Sequence, residues 1–470
     1  PAPAETAPDA AATGTPEATV TLTAEETGWS KPRLLYRSDY NVTNPLVVTD
    51  ADGRVHVLWL ETQAEGEVIP AMFHKQLDDT GWSKPTSILI TPGGGSMGGV
   101  EAAADARGRL HVIWQGPNNA LYYSQAEAAE AGDAQGWTTP IILATSFIHA
   151  GIACVGEDMV YVAYPGPEMT GVFMMSSEDG GENWSPERQV SAPIGEETAP
   201  DYVQVAAGDG RVHVVWTEFG YPRGIPPTGV YYIRSEEGRA SWSTPLRMAG
   251  VGYDQITVRA GMDSKVYLTW NGMAGVGGRY YGVSENGGKT WRAIEAVIPA
   301  GLGGTSGYPQ LDFDADGGLH FITTYDVEPE GGIHYSDVEE GKWTDAILLS
   351  SGFKRSDYET YSIELPRMTI SHGNRLYVVY EVGFKEIYYQ TKIVEAREVE
   401  PLGAPILPTQ TATPLPPTAT PLPPTPTLPV FGEATRIRSF DASMPLVLAS
   451  GGVIGLLIIV GLLRRWSMRK

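Results

Sequence analysis

A seven-bladed β-propeller, continued by a proline/threonine-rich stalk and one membrane-spanning helix, is the fold that the 470-residue sequence predicts. Two observations carry the propeller. Seven tryptophans, Trp29, Trp82, Trp137, Trp184, Trp242, Trp291 and Trp343, each follow a short polar or glycine-containing turn and open an apolar run, at a period of about 50 residues. In step with them runs a glycine or polar turn followed by an alternating strand, as in residues 53–59 (GRVHVLW), 108–114 (GRLHVIW) and 210–216 (GRVHVVW), with weaker copies at 160–164, 266–270, 319–322 and 376–380. A third observation, an uncharged apolar stretch near the C-terminus, carries the membrane span.

Taken in chain order, residues 1–24 are Ala/Pro/Thr/Glu-rich and read as a disordered spacer left after a signal sequence is removed. Residues 25–396 hold the repeats. A tyrosine-rich strand precedes most tryptophan turns (Tyr122-Tyr123, Tyr231-Tyr232, Tyr280-Tyr281), so with one strand entering each unit every repeat has four short strands, the content of a propeller blade. The array begins with a lone tryptophan strand at 29–36 and ends with a tyrosine-rich strand at 386–394 that has no tryptophan strand after it. The first strand is therefore expected to complete the last blade, leaving no free edge; six blades would leave one set of markers unplaced. A hydrophobic content of 42% with 55 glycines suits many short strands and tight turns.

The remainder gives an address. Residues 397–443 form a Pro/Thr-rich segment, which favours extended polyproline geometry; its low-complexity part, 401–429, would make a stalk about 90 Å long. Residues 444–463 are uncharged and apolar, long enough to span a bilayer, and residues 464–470 carry Arg464, Arg465, Arg469 and Lys470. These cations place the tail in the cytoplasm and the propeller outside. Residues 428–432 (LPVFG) differ from a sortase signal in having Phe431 where threonine is required. A net charge of −23 repels nucleic acid and anionic membrane surfaces, and the lone Cys154 has no intramolecular disulfide partner.

Residues 177–184 (SEDGGENW) fit S-x-D-x-G-x-x-W, through Ser177, Asp179, Gly181 and Trp184. Residues 284–291 match with asparagine for aspartate, through Ser284, Asn286, Gly288 and Trp291. This motif resembles the Asp-box (BNR repeat) of sialidase-like propellers, and the resemblance extends over residues 25–396. It implies a sialidase-like propeller, six-bladed in sialidases, with the site on the face opposite the Asp-box turns. Sialidases also have an arginine triad, a tyrosine nucleophile and an early R-I-P motif. Here residues 223–226 read R-G-I-P and lie in mid-chain. The reading preferred is therefore a surface-tethered propeller that binds glycans or another extracellular ligand. A sialidase-type exo-glycosidase and a protein-interaction scaffold are the alternatives.

Site residues follow from polar interruptions of the repeat. Aligned on the turn after each innermost strand, Leu46, Glu101, Gly151, Val203, Thr257, Gln310 and Arg367 share a position. Val48, Ala103, Ala153, Val205, Arg259, Asp312 and Thr369 lie two residues on, with the same facing. Glu101, Arg259, Gln310, Asp312 and Arg367 are thus expected to face the axial channel. There they form either a self-satisfied network or an anion pocket with Arg259 and Arg367 as carboxylate clamps. In the loops above, Asp39 and Tyr40 recur as Asp357 and Tyr358, and Asp201-Tyr202 and Tyr253-Asp254 form further acid/tyrosine pairs, with Tyr308 and Tyr361 nearby. Such pairs suit sugar binding, or they plug the blade tops. For catalysis the candidates are Tyr308 or Tyr361 as nucleophile, together with Asp39. His56, His111, His213 and His320 occupy one repeat position that tyrosine takes elsewhere, which points to packing; neither a metal nor a cofactor is expected.

Overall fold

In a computed structural model the chain forms seven four-stranded antiparallel sheets arranged as propeller blades, two of which also carry a two-stranded hairpin extension. The structure describes residues 27–400 except for loop segments 63–69, 79, 147–148, 168–169, 196, 221–226, 237–240, 262, 274–275, 299–308, 326–330 and 352–362. The innermost strands of blades one to seven are Asn41–Thr49, Gly98–Ala104, Gly151–Val155, Thr198–Gly208, Tyr253–Ala260, Gln310–Phe313 and Ile363–Ser371. Ring closure follows the sequence expectation: the N-terminal strand Arg33–Arg37 pairs antiparallel with Glu386–Ile393 and becomes the outer strand of blade seven. Among the described residues no helix is long and apolar enough to cross a membrane; the apolar stretch at 444–463 lies outside them.

Packing between blades comes from strand alternation. Between blades one and two, Leu46, Leu58, Leu60 and Met72 of one face meet Val100, Leu110, Val112 and Trp114 of the other. Each such side chain contributes about 1.5–3 kcal/mol through burial. The repeated tryptophan adds a second, aromatic layer, because it packs edge-on against a tyrosine of the preceding blade. Trp184 on Tyr123 (4.9 Å, 76°), Trp291 on Tyr232 (4.9 Å, 81°), Trp343 on Tyr281 (5.3 Å, 79°), Trp29 on Tyr335 (4.9 Å, 73°) and Trp82 on Tyr389 (5.3 Å, 68°) make five copies of one contact.

The repeated histidines are buried members of hydrogen-bond chains. His111 Nε2 lies 3.1 Å from Asp105 Oδ2 and its Nδ1 2.8 Å from Tyr123 Oη; His320 repeats this with Asp314 (3.2 Å) and Tyr335 (2.7 Å). His56 joins Asp50 (3.1 Å) to His74 (3.0 Å), and His213 meets Tyr232 Oη at 2.7 Å. The aspartate also caps its own turn, as Asp105 does by accepting from the backbone N–H groups of Arg107 and Arg109. A further link, with no sequence signature, is Arg279. Its fully buried guanidinium donates from blade five to Thr323 Oγ1 (2.8 Å) and the Thr324 carbonyl (2.7 Å) of blade six.

Candidate functional site: the axial channel and its mouth

Strand pairing fixes which inner-strand residues share a level. Leu46 pairs Leu58, Glu101 pairs Ile113, Gly151 pairs Ala163, Thr257 pairs Thr269, Gln310 pairs Ile322 and Arg367 pairs Val379, as the sequence alignment expects. Blade four departs from it: Gln204, not Val203, pairs Val215 at this level, and Ala206 takes the next position. The cause is turn length. Blade one has five residues between Thr49 and Val55, whereas blade four has four between the paired Ala207 and Val212, so counting back from the turn slips by one. Val203 and Val205 accordingly belong to the apolar seam against blade three.

At this level the channel is polar on several blades. The Arg367 Nη2 donates to Glu101 Oε1 at 3.1 Å, joining blade seven to blade two past the inner strand of blade one. Burial pushes the Asp312 carboxyl up from the ordinary range, and the positive charge of Arg259 opposes that rise. Thr49 and Thr369 hydroxyls meet at 2.9 Å, and Thr257 and Thr269 at 2.7 Å. Because Arg367 and Glu101 are both largely buried, Arg367→Ala is expected to cost about 1–3 kcal/mol, measured by urea denaturation. Glu101→Gln in the Arg367→Ala background should recover part of that loss.

Two residues before the axial position of blades one to five the chain turns left-handed. Asn44 (φ 53°), Gly99 (φ 54°), His149 (φ 65°), Tyr202 (φ 50°) and Gln255 (φ 51°) mark blades one to five in succession. In blades one, two, four and five this coincides with a break in strand register, between Thr43 and Leu46, Gly98 and Glu101, Asp201 and Gln204, and Asp254 and Thr257. A bulge of this kind re-aims side chains. For histidine and tyrosine the conformation costs on the order of 1–3 kcal/mol each, so the surroundings must hold it.

Those surroundings are specific. His149 Nδ1 lies 2.9 Å from Asp201 Oδ1, which also accepts the Tyr202 backbone N–H at 2.8 Å. The His149 and Tyr202 rings stack at 4.4 Å and 27°, and Tyr202 leans on Phe219 at 5.9 Å. Gln255 Oε1 accepts from Asn271 Nδ2 at 2.7 Å, and its N–H donates to Thr217 Oγ1 at 3.0 Å. The buried Glu218 carboxylate accepts from Trp216 Nε1 (2.8 Å), the Ile194 N–H (3.1 Å) and Thr198 Oγ1 (2.5 Å). The mouth thus combines aromatic faces with a carboxylate-held imidazole and amide groups, a set able to stack on a pyranose and bond its hydroxyls.

Of the residues expected from sequence, the structure brings together Arg367 with Glu101, Arg259 with Asp312, and Asp201 with Tyr202. Asp254 is buried, and Tyr253 is half-buried against Tyr280 (5.2 Å, 76°). Asp39 and Tyr40 are exposed in the loop joining Arg33–Arg37 to Asn41–Thr49, where the Asp39 carbonyl accepts from Lys385. Tyr308, Tyr361, Asp357 and Tyr358 lie outside the described residues. His149, Gln204 and Gln255 were missed. Extending the repeat alignment two residues toward the N-terminus, with blade four shifted by one, would have found all three.

No protein-family model matches the chain, and no curated relative matches it. Among solved structures, a PL25 ulvan lyase, a polysaccharide lyase solved with a bound -[GlcA(1-4)Rha3S]- unit, is 13% identical. This chain's match covers 78% of its own length and 97% of the lyase, with a TM-score of 0.53. The BP39L lectin from Burkholderia pseudomallei is 12% identical over 78% of this chain and 99% of the lectin, with a TM-score of 0.52. A Hadza microbial sialidase, Hz136, is 14% identical over 76% of this chain and 66% of the sialidase, with a TM-score of 0.43. At these identities the likeness is one of fold.

Proposed function

We propose that this protein is a cell-surface-anchored propeller of the sialidase-like, Asp-box type that binds a glycan at the mouth of its axial channel. The observation that carries the reading is the stacked His149–Tyr202 pair, both left-handed and both held by Asp201 at the mouth. Strain kept at adjacent aromatic positions is characteristic of ligand sites. Structural neighbours whose names are those of a lectin and of a polysaccharide lyase support a carbohydrate ligand. Surface anchoring is supported by the Pro/Thr-rich segment, the apolar residues 444–463 and the basic residues that follow.

A hydrolytic reading, exo-cleavage of terminal sugars, is favoured by one feature: buried Asp201 and Glu218 carboxylates near a tyrosine and a histidine. One experiment addresses both. The full chain in nanodiscs is screened on an oligosaccharide array and assayed with a fluorogenic sialoside. Binding that falls about tenfold or more in Tyr202→Ala, without sialoside turnover, is the expected result. Turnover that Arg367→Ala abolishes would replace the binding reading by the glycosidase one, and absence of any glycan signal would overturn both in favour of a protein-interaction scaffold.

A further inference from the structure

On the opposite face, where the innermost strands turn into the second strands, the seam that closes the ring differs from the two seams covered by the 177–184 and 284–291 hairpins. Between blades two and three, Arg109 is held by Asp105 in its own turn (2.7 Å) and crosses to Asp158 (3.3 Å). The 177–184 hairpin then lies against it: a Cβ on Gly180 would be 2.0 Å from the guanidinium. Between blades four and five, the 284–291 hairpin covers Arg211, and a Cβ on Gly287 would be 3.2 Å from its guanidinium.

At the seam between blades seven and one both components are altered. Ser371 stands where blades one, two and six carry the turn aspartate, and Arg375 pairs instead with Glu398 (2.5 Å) and is 43% exposed. The blade-one hairpin, like that of blade six, is also two residues shorter, with Leu77 paired to Trp82 and Val338 to Trp343, against seven residues' separation from Ser177 to Trp184. The space that side chains fill elsewhere is here an open cleft of about 500 Å³. Its walls include Asp52, Arg54, Asp78, His372, Arg375 and Tyr377. The His372 ring lies flat against Gly53, whose Cβ would be 2.6 Å from it, and Ser371 Oγ bonds His372 Nδ1 (2.7 Å) and the Gly53 carbonyl (2.5 Å), so the floor is rigid.

We propose that this cleft is a second binding site, separate from the channel mouth, that takes a neutral hydroxyl-rich unit such as a hexose. Its volume lies within the usual range for small-ligand sites. Arg54 is already neutralised by Asp50 (2.8 Å) and Asp52 (2.5 Å), and Arg375 by Glu398, so an anionic ligand meets no uncompensated cation, and Asp78 already accepts from the Thr80 N–H (2.8 Å) and hydroxyl (2.6 Å). Paired guanidinium and carboxylate groups present donors and acceptors side by side, which is what vicinal hydroxyls require, and Tyr377 supplies an aromatic surface.

The test is saturation-transfer NMR on the full chain in nanodiscs with lactose, cellobiose and maltose as probes, against empty nanodiscs. With Tyr202→Ala in place to remove the channel-mouth site, transfer to at least one disaccharide is still expected, and adding Arg375→Ala, at a half-exposed position whose loss leaves the core intact, should weaken it about tenfold. Replacing residues 78–81 with the six residues 178–183 should restore the covering hairpin and abolish transfer. No transfer in the Tyr202→Ala protein, or transfer undiminished when Arg375→Ala is added to it, would overturn the proposal, and transfer seen in the wild type but absent from Tyr202→Ala would assign the sugar to the channel mouth.

Discussion

Gly181→Ala is expected to destabilise the propeller by about 3–5 kcal/mol, a loss concentrated at the seam between blades two and three. Gly181 has a φ of +90°, and a Cβ there would lie 1.7 Å from Tyr123 Oη and 2.6 Å from its Cζ. The tyrosine cannot retreat. It is buried, its hydroxyl is bonded to His111 Nδ1 at 2.8 Å, and Trp184 packs edge-on against its ring. The turn is equally fixed, since Ser177 Oγ accepts the Gly181 N–H (2.8 Å), Asp179 Oδ1 accepts from Ser177 Oγ (2.7 Å) and the Asn183 N–H (2.8 Å), and Trp184 Nε1 donates to the Gly181 carbonyl (3.2 Å).

Two comparisons separate collision from backbone strain. Gly210 also has a positive φ, +72°, but a Cβ there meets nothing within 4 Å, so Gly210→Ala should cost only about 1 kcal/mol. Removing the hydroxyl with Tyr123→Phe should lessen the effect of Gly181→Ala, giving a coupling above about 1 kcal/mol in a double-mutant cycle by urea denaturation. Equal losses for Gly181→Ala and Gly210→Ala would show that the hairpin does not press on the neighbouring blade. Gly288 repeats the arrangement, since a Cβ there would lie 1.6 Å from Tyr232 Oη, so Gly288→Ala should behave alike.

This contact also explains what the sequence could reveal. The tryptophan and the tyrosine of the preceding blade recur because five seams share the same edge-on contact, so blade number and ring closure could be read from spacing. Side-chain facing was legible wherever the turn after the inner strand kept five residues; blade four, with four, put Gln204 in the wrong class. The channel mouth was less legible because bulges interrupt the period of two just where the strands reach it. His149 was overlooked since it repeats no neighbouring histidine, although Tyr202 and Gln255 occupy its place in the following blades. Arg279 joins two blades through hydroxyl and carbonyl acceptors, and sequence gives no pairing rule for those. The open seam was in principle visible as Ser371 in place of the turn aspartate, but its meaning depends on knowing what Arg109 and Arg211 touch.

The second large effect is acid sensitivity. Burial holds the His74 ring down at about 3, with His56 adding to the effect; burial holds His213 at about 3, assisted by Arg211 and Arg234; and burial holds His334 at about 4, where Arg279 opposes protonation and the Gly332 carbonyl favours it. All three are nearly inaccessible to solvent. In the unfolded chain each titrates near 6.5, so between 6.5 and 4 the unfolded state binds more protons than the folded one. Their contribution is therefore complete above about pH 6.5 and declines as pH falls, by about 1.4 kcal/mol per unit per ring. At pH 5 the three together remove roughly 6 kcal/mol relative to neutral pH. Asp312, raised by burial, acts with the opposite sign, but as one group against three. The urea midpoint is expected to fall by about 1–2 M from pH 7 to pH 5. His213→Gln, which keeps a polar partner for Tyr232 without the titration, should lower stability at pH 7 and flatten the pH dependence by about a third. A midpoint that holds from pH 7 to pH 5 would mean that these rings take up protons inside the folded blades. The blades would then have to tolerate charge at the very histidines that now meet His56, Tyr232 and the Gly332 carbonyl as neutral partners.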